Sequence, residues 1–190
     1  SIGAPLREGA THEFARAWQE GRPPLAFTET EREAGKALLK QLGIPEGAGY
    51  VCVGLREAAY YQQFLAPSAR GRAINVEAGP DTAIRNPSVR TYLPMMEECA
   101  ARDLDVLRMG QVVGDPLPSG MHPRVIDYAS TARTPFGDIF LLATCKFVVA
   151  GAATGLCWVS SAFNRPVVWT DSYFLQARTK REGDLFIPSL

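Results

Sequence analysis

Apolar positions along this chain follow two patterns. Short apolar runs closed off by turn residues read as strands buried in a sheet. They fall at 50–55, 104–109, 124–128, in the first part of 146–156, and at 165–171. Between them, apolar residues recur at helical spacing. Ala34, Ala37, Leu38 and Leu42 share one face of a helix that opens at a Thr28/Glu31 capping box and ends near Gly43. Val89, Tyr92, Leu93, Met96, Cys99 and Ala100 define a second helix over 88–102. A third runs from Thr134, its N-cap, through Pro135 at the first helical position to Cys145. Asp138 lies in that helix's first turn, where its charge suits the dipole. Gly155 opens a fourth helix that runs through Phe163.

Strands alternating with helices predict an α/β domain of three layers, with a mainly parallel sheet of about five strands over 28–171. Residues 1–27 read as an N-terminal extension or linker with a short helix at 11–20, and 172–190 as an interrupted C-terminal extension. The stretch 58–87, with Tyr60, Tyr61, Arg70, Arg72 and Arg85, reads as long and irregular, which in a compact domain is functional or partly disordered. In parallel sheets ligands bind outside the carboxyl ends of the strands. Here those ends hold Arg56 and Glu57, Met109 and Gly110, residues 127–130, the turn 151–155, and Thr170 and Asp171. The 146–156 segment is a strand, a turn of small residues and then a helix. That layout can present backbone N–H groups to an anion, and it also occurs as an ordinary tight turn. The set suits a phosphate-bearing ligand with a polar head.

Composition narrows the classes. The 190 residues are 46% hydrophobic and 21% charged, with 20 basic and 20 acidic residues and zero formal net charge. This balance fits a folded core and gives no sign of a nucleic-acid or membrane-surface binder. No apolar run approaches the roughly 20 residues of a transmembrane helix, and the first residues lack a signal-peptide layout. The chain begins with Ser1, which reads as a fragment or processed chain. Cys52, Cys99, Cys145 and Cys157 form no C-x-x-C pair and read as small buried hydrophobes in a reducing compartment. With His12 and His122 far apart, no zinc cluster is expected. There is no G-x-G-x-x-G after the first strand and no Walker motif, so a dinucleotide fold is not indicated.

The order of the pieces resembles the nucleotide-binding C-terminal half of a bacterial glycosyltransferase family of the GT-B type. The resemblance rests on Val53-Gly54-Leu55-Arg56-Glu57, Arg85-Asn86-Pro87-Ser88 before Tyr92, Val106-Leu107-Arg108-Met109-Gly110, and Val125-Ile126-Asp127-Tyr128-Ala129. Asp138 leading into Cys145-Lys146-Phe147, the turn before Gly155 and the Arg165-Pro166 strand complete it, over roughly 28–190. More distantly the chain looks like fucosyltransferases with a strand-end arginine and a serine/glycine phosphate turn. Here that turn reads Ala153-Thr154-Gly155, which keeps a hydroxyl.

The resemblance implies a Rossmann-like domain, one half of a GT-B architecture, that binds a nucleotide-sugar donor. The reaction would pass the glycosyl group to a saccharide or glycolipid acceptor in surface-polysaccharide synthesis. No metal or other cofactor is expected, in keeping with the lack of a D-x-D pair. The acceptor-binding half would lie outside these residues. It implies a cytoplasmic location and allows peripheral contact with the inner membrane and a homodimer. Arg56 would be the catalytic cation that neutralises the departing diphosphate, or else a surface salt-bridge partner of Glu57. Ala153, Thr154 and Gly155 would cradle the same diphosphate. Arg85 and Asn86 would bind phosphate or sugar hydroxyls, or else Asn86-Pro87-Ser88 simply starts the next helix. Asp127 and Tyr128 would touch base, ribose or sugar, or else Asp127 caps a turn. Arg108 reads as structural, and Met95, Met96, Trp158, Phe163 and Trp169 as core. Two other classes fit the same residues. One is a non-catalytic phospho-ligand-binding module. The other is a different α/β sugar-phosphate enzyme or small hydrolase, which needs a nucleophile or base beside Gly155.

Overall fold

β1 (Tyr50–Leu55) is buried along its whole length. A strand buried on both faces needs a packed layer on each side, and that requirement organises the molecule. The computed structural model describes residues 25–64, 86–152, 154–172 and 183–188. Among these, β2 (Asp105–Met109), β3 (Val125–Ile126), β4 (Val148–Gly151), β5 (Val167–Ser172) and β6 (Leu185–Pro188) join β1. They form one sheet in the order β3-β2-β1-β4-β5-β6. Every neighbouring pair is parallel.

Alternate residues of the strands feed two cores. On one face Cys52, Leu107, Met109, Val148, Ala150 and Trp169 pack with Leu38 and Leu42 of α1 (Glu29–Gln41), Phe140 and Leu141 of α5 (Pro135–Thr144), and Cys157 of α6 (Leu156–Ala162). On the other, Val51, Val53, Leu55, Val106 and Val149 pack with Val89 and Tyr92 of a 3-10 turn and with Met96 and Ala100 of α3 (Leu93–Ala101). Each fully buried valine contributes about 1.5–3 kcal/mol of hydrophobic stabilisation. The protein is therefore a three-layer, Rossmann-like α/β domain.

The helix signals in the sequence correspond to physical caps. Thr28 and Glu31 form the reciprocal capping box of α1. Thr134 accepts the Gly137 N–H at 2.9 Å at the start of α5. Other expectations need correction. The sheet has six described strands rather than about five, because Leu185–Pro188 pairs with β5. Asp184 anchors that strand by accepting the Val167 N–H at 2.8 Å. β3 is only two residues long, since the chain after Asp127 turns into the helical α4 (Tyr128–Thr131). The 88–102 helix divides into a 3-10 turn, Val89–Tyr92, and α3, with Pro94 in the first turn of α3. Proline has no N–H for an upstream carbonyl, so its natural place is a helix start. Part of the supposedly irregular 58–87 stretch is a helix, α2 (Ala58–Phe64). Trp158 is half exposed on α6, with its ring edge against the buried Trp169.

Candidate functional site

The chain runs outward from β1 to β2 and β3, returns to β4 beside β1, and continues outward through β5 and β6. Leu55 and Gly151 are register partners at the carboxyl ends of β1 and β4. Connections leaving these two strands diverge to opposite sides, which opens a crevice at the switch point. A cleft of about 360 Å³ lies there. The end of β1 supplies Arg56 and Glu57 to it, and α2 supplies Tyr60. Gln111 and Val112, in the loop after β2, form another wall. Thr154 and Gly155 enter from the turn after β4.

Small residues set this geometry. A side chain at Gly54 of β1 would stand 2.9 Å from Leu156 Cδ1 and 3.5 Å from Thr154 Cγ2, so glycine lets the turn settle onto the strand without moving the Leu156 side chain. Gly155 is different. It has φ −60° and ψ −20°, which any residue tolerates, and a Cβ placed there meets no atom of the described residues within 4 Å. Its missing side chain leaves room in the cleft rather than relieving a clash. α6 has seven residues, too few for an extended dipole, so what the turn offers an anion is its local N–H groups. Cys157 donates its Sγ–H to the Thr154 carbonyl at 2.7 Å. Burial pushes that thiol up to about 12, so it stays protonated and fixes the turn.

A buried ion-pair network lies beside the cleft. Arg108 on β2 is 1% exposed and donates from Nη2 to Glu57 Oε1 at 2.8 Å. Its Nη1 donates to the Asp115 carbonyl at 2.5 Å and stands 3.7 Å from Asp127 Oδ2. The second Glu57 oxygen accepts the Gly114 N–H at 2.6 Å. A charged residue inside an apolar strand was the signal in the sequence, but which strands flank it, and so which carboxylates meet it, cannot be read from spacing. Glu57, Tyr60 and Gln111 line the cleft without having been singled out as ligands; the position of Glu57 directly after Arg56 was the available clue.

The structure thus brings Arg56, Thr154 and Gly155 together. Asp127 sits one step away, behind Arg108. Tyr128 is fully buried; its hydroxyl donates to the Thr134 carbonyl at 3.1 Å and accepts the Thr134 N–H at 3.0 Å, which ties α4 to α5. Asn86 is half buried and leads into Ser88, which accepts the Arg90 N–H at 3.2 Å as the cap of the 3-10 turn. It is not among the cleft-lining residues. Arg85 and Ala153 lie outside the described residues. Asp138 pairs with Arg133 at 2.7 Å in the first turn of α5, and burial raises its carboxyl. A second polar group lies at the end of β5, where the Tyr92 hydroxyl donates to Asp171 and bonds Thr170 at 2.5 Å. Asp171 holds φ +49° there, an unusual angle for a residue with a side chain.

Fold and cleft define a doubly wound α/β domain with a cleft at the β1/β4 switch point. Scans against protein families, curated proteins and solved structures found no match for this chain. Among the described residues, no group of three or more His, Cys, Asp or Glu side chains is placed to hold a metal ion. No helix among them is long and apolar enough to cross a membrane.

Proposed function

We propose that the switch-point cleft binds the diphosphate of a nucleotide-sugar, and that the chain is the donor-binding domain of a glycosyltransferase in surface-polysaccharide or glycolipid synthesis. One observation carries this reading: Arg56 from the end of β1 and the Thr154–Gly155 turn after β4 line a single cleft. A guanidinium offers forked donors that match phosphate oxygens. The threonine hydroxyl and the turn's N–H groups add short-range donors. In glycosyl transfer the bond between the anomeric carbon and a diphosphate oxygen breaks while the acceptor oxygen bonds to that carbon. Negative charge grows on the departing diphosphate. Arg56 and the turn stabilise that charge more in the transition state than before it, which is how they would accelerate transfer. The acceptor, a saccharide or glycolipid, would approach from the open side of the cleft, with this domain on the cytoplasmic side.

The test is calorimetric titration of the chain with GDP, UDP, ADP and CMP, beside Arg56→Ala. One nucleotide binds selectively, and the variant loses about 1–3 kcal/mol of that affinity, the scale of a hydrogen bond to a charged group. A folded chain that binds none of the four sinks the reading. A second reading, a phospho-ligand-binding module without catalysis, draws support from Glu57. It is the one carboxylate among the described cleft-lining residues, and both its oxygens already accept hydrogen bonds. Nucleotide binding with no sugar transfer to any saccharide or lipid acceptor would favour that module.

A further inference from the structure

Arg108 contacts the cleft's walls without lining the cleft itself. Its two terminal nitrogens reach different targets, Glu57 from the end of β1 and the Asp115 carbonyl in the loop after β2. Glu57 holds the same loop one residue earlier, through the Gly114 N–H. The loop is thereby gripped at two successive residues by two strand-end side chains. It supplies Gly110, Gln111 and Val112 to the cleft, opposite the turn that supplies Thr154 and Gly155. The charge pattern matters as well. Glu57 and Asp127 place two carboxylates near a cleft that an anion would enter, and Arg108 lies between them, 2.8 Å from one and 3.7 Å from the other. A buried carboxylate without its cation would repel a phosphate at short range in a medium of low dielectric.

We propose that Arg108 is a positioning residue for the switch-point cleft: with Glu57 it clamps the 110–115 loop as a wall and offsets the carboxylates behind it. The proposal rests on the anion-binding reading of the cleft. It requires a guanidinium rather than any cation, because one ammonium cannot span Glu57 and the Asp115 carbonyl with the same fork.

Two variants test it. Arg108→Lys keeps the charge and loses the fork. Glu57→Gln keeps the shape and nearly all the volume, but its single oxygen cannot serve both Arg108 and Gly114 as the carboxylate does. Amide hydrogen exchange at residues 110–115 and titration with UDP, GDP and ADP are measured on each, with thermal melts to establish folding. Exchange at Gly114 should speed up about tenfold or more, and nucleoside diphosphate affinity should fall about tenfold, as expected for losing a hydrogen bond to a charged group. Unchanged exchange in both folded variants overturns the clamp. Faster exchange with unchanged affinity makes the arginine a structural residue only and also overturns the proposal. A folded wild-type chain that binds no nucleoside diphosphate sinks the donor reading and the positioning role with it, an outcome told apart from failure of the clamp by the wild-type titration.

Discussion

Replacing Gly155 with alanine separates binding from stability. The residue sits at φ −60° and ψ −20°, so alanine fits the backbone without strain. The added Cβ meets no atom of the described residues within 4 Å, so none of them has to move. A Gly→Ala change at a compatible position stabilises by about 0.4–1 kcal/mol through the unfolded chain. Part of that is offset, since glycine is preferred to alanine before a first helical residue. The net is a melting temperature unchanged or raised by roughly 2–4 °C, the response of a chain this size to about 1 kcal/mol. On the anion-binding reading of the cleft, the new methyl group keeps a phosphate from closing onto the turn. Losing one hydrogen bond to a charged oxygen costs about 1.5–3 kcal/mol, or roughly tenfold to 150-fold in affinity. The assays are a thermal melt and a calorimetric titration with the nucleotide that wild type binds best. A stable variant with wild-type affinity would remove the turn from the site. A melt lowered by several degrees would contradict the open space at Gly155.

Three further outcomes follow from the fold. Gly35 on α1 faces the ring of Phe140, where a side chain has no room, so Gly35→Val should lower stability by about 1–3 kcal/mol in urea unfolding; an unchanged midpoint would contradict this α1–α5 packing. Burial raises the Asp138 carboxyl while Arg133 works against the rise, so the folded protein holds that proton more tightly than the unfolded chain. Its contribution is therefore present at acid pH and is lost as pH climbs above the ordinary aspartate range, so Asp138→Asn should flatten that part of the stability–pH curve; parallel curves would refute the sign. In native protein at mild alkaline pH a thiol reagent should modify Cys99 first, because Cys52, Cys145 and Cys157 have no exposed surface; early labelling of Cys157 by mass spectrometry would refute its burial.

The sequence by itself determined the elements whose signals are local. Capping at Thr28 and Thr134, the apolar runs of β1 and β4, and the helix opening at Gly155 depend on neighbours a few residues away, and all formed where the pattern put them. The α/β class followed from their alternation. It also picked out Arg56 and the Thr154–Gly155 turn, since strand-end positions in a parallel sheet are readable once the strands are known. Tertiary structure decided the rest. A four-residue run such as Leu185–Pro188 carries too little pattern to be told from a tail, and only pairing with β5 makes it a strand. Tyr128 and Arg108 look alike in sequence as polar groups near strand ends. Packing buries the tyrosine under the backbone of Thr134 and sets the arginine against Glu57, a residue 51 positions away. Strand order brings β1 and β4 together, and with them the two halves of the cleft. That order is fixed by which apolar faces must be covered across the whole sheet, a condition that no short window of sequence contains.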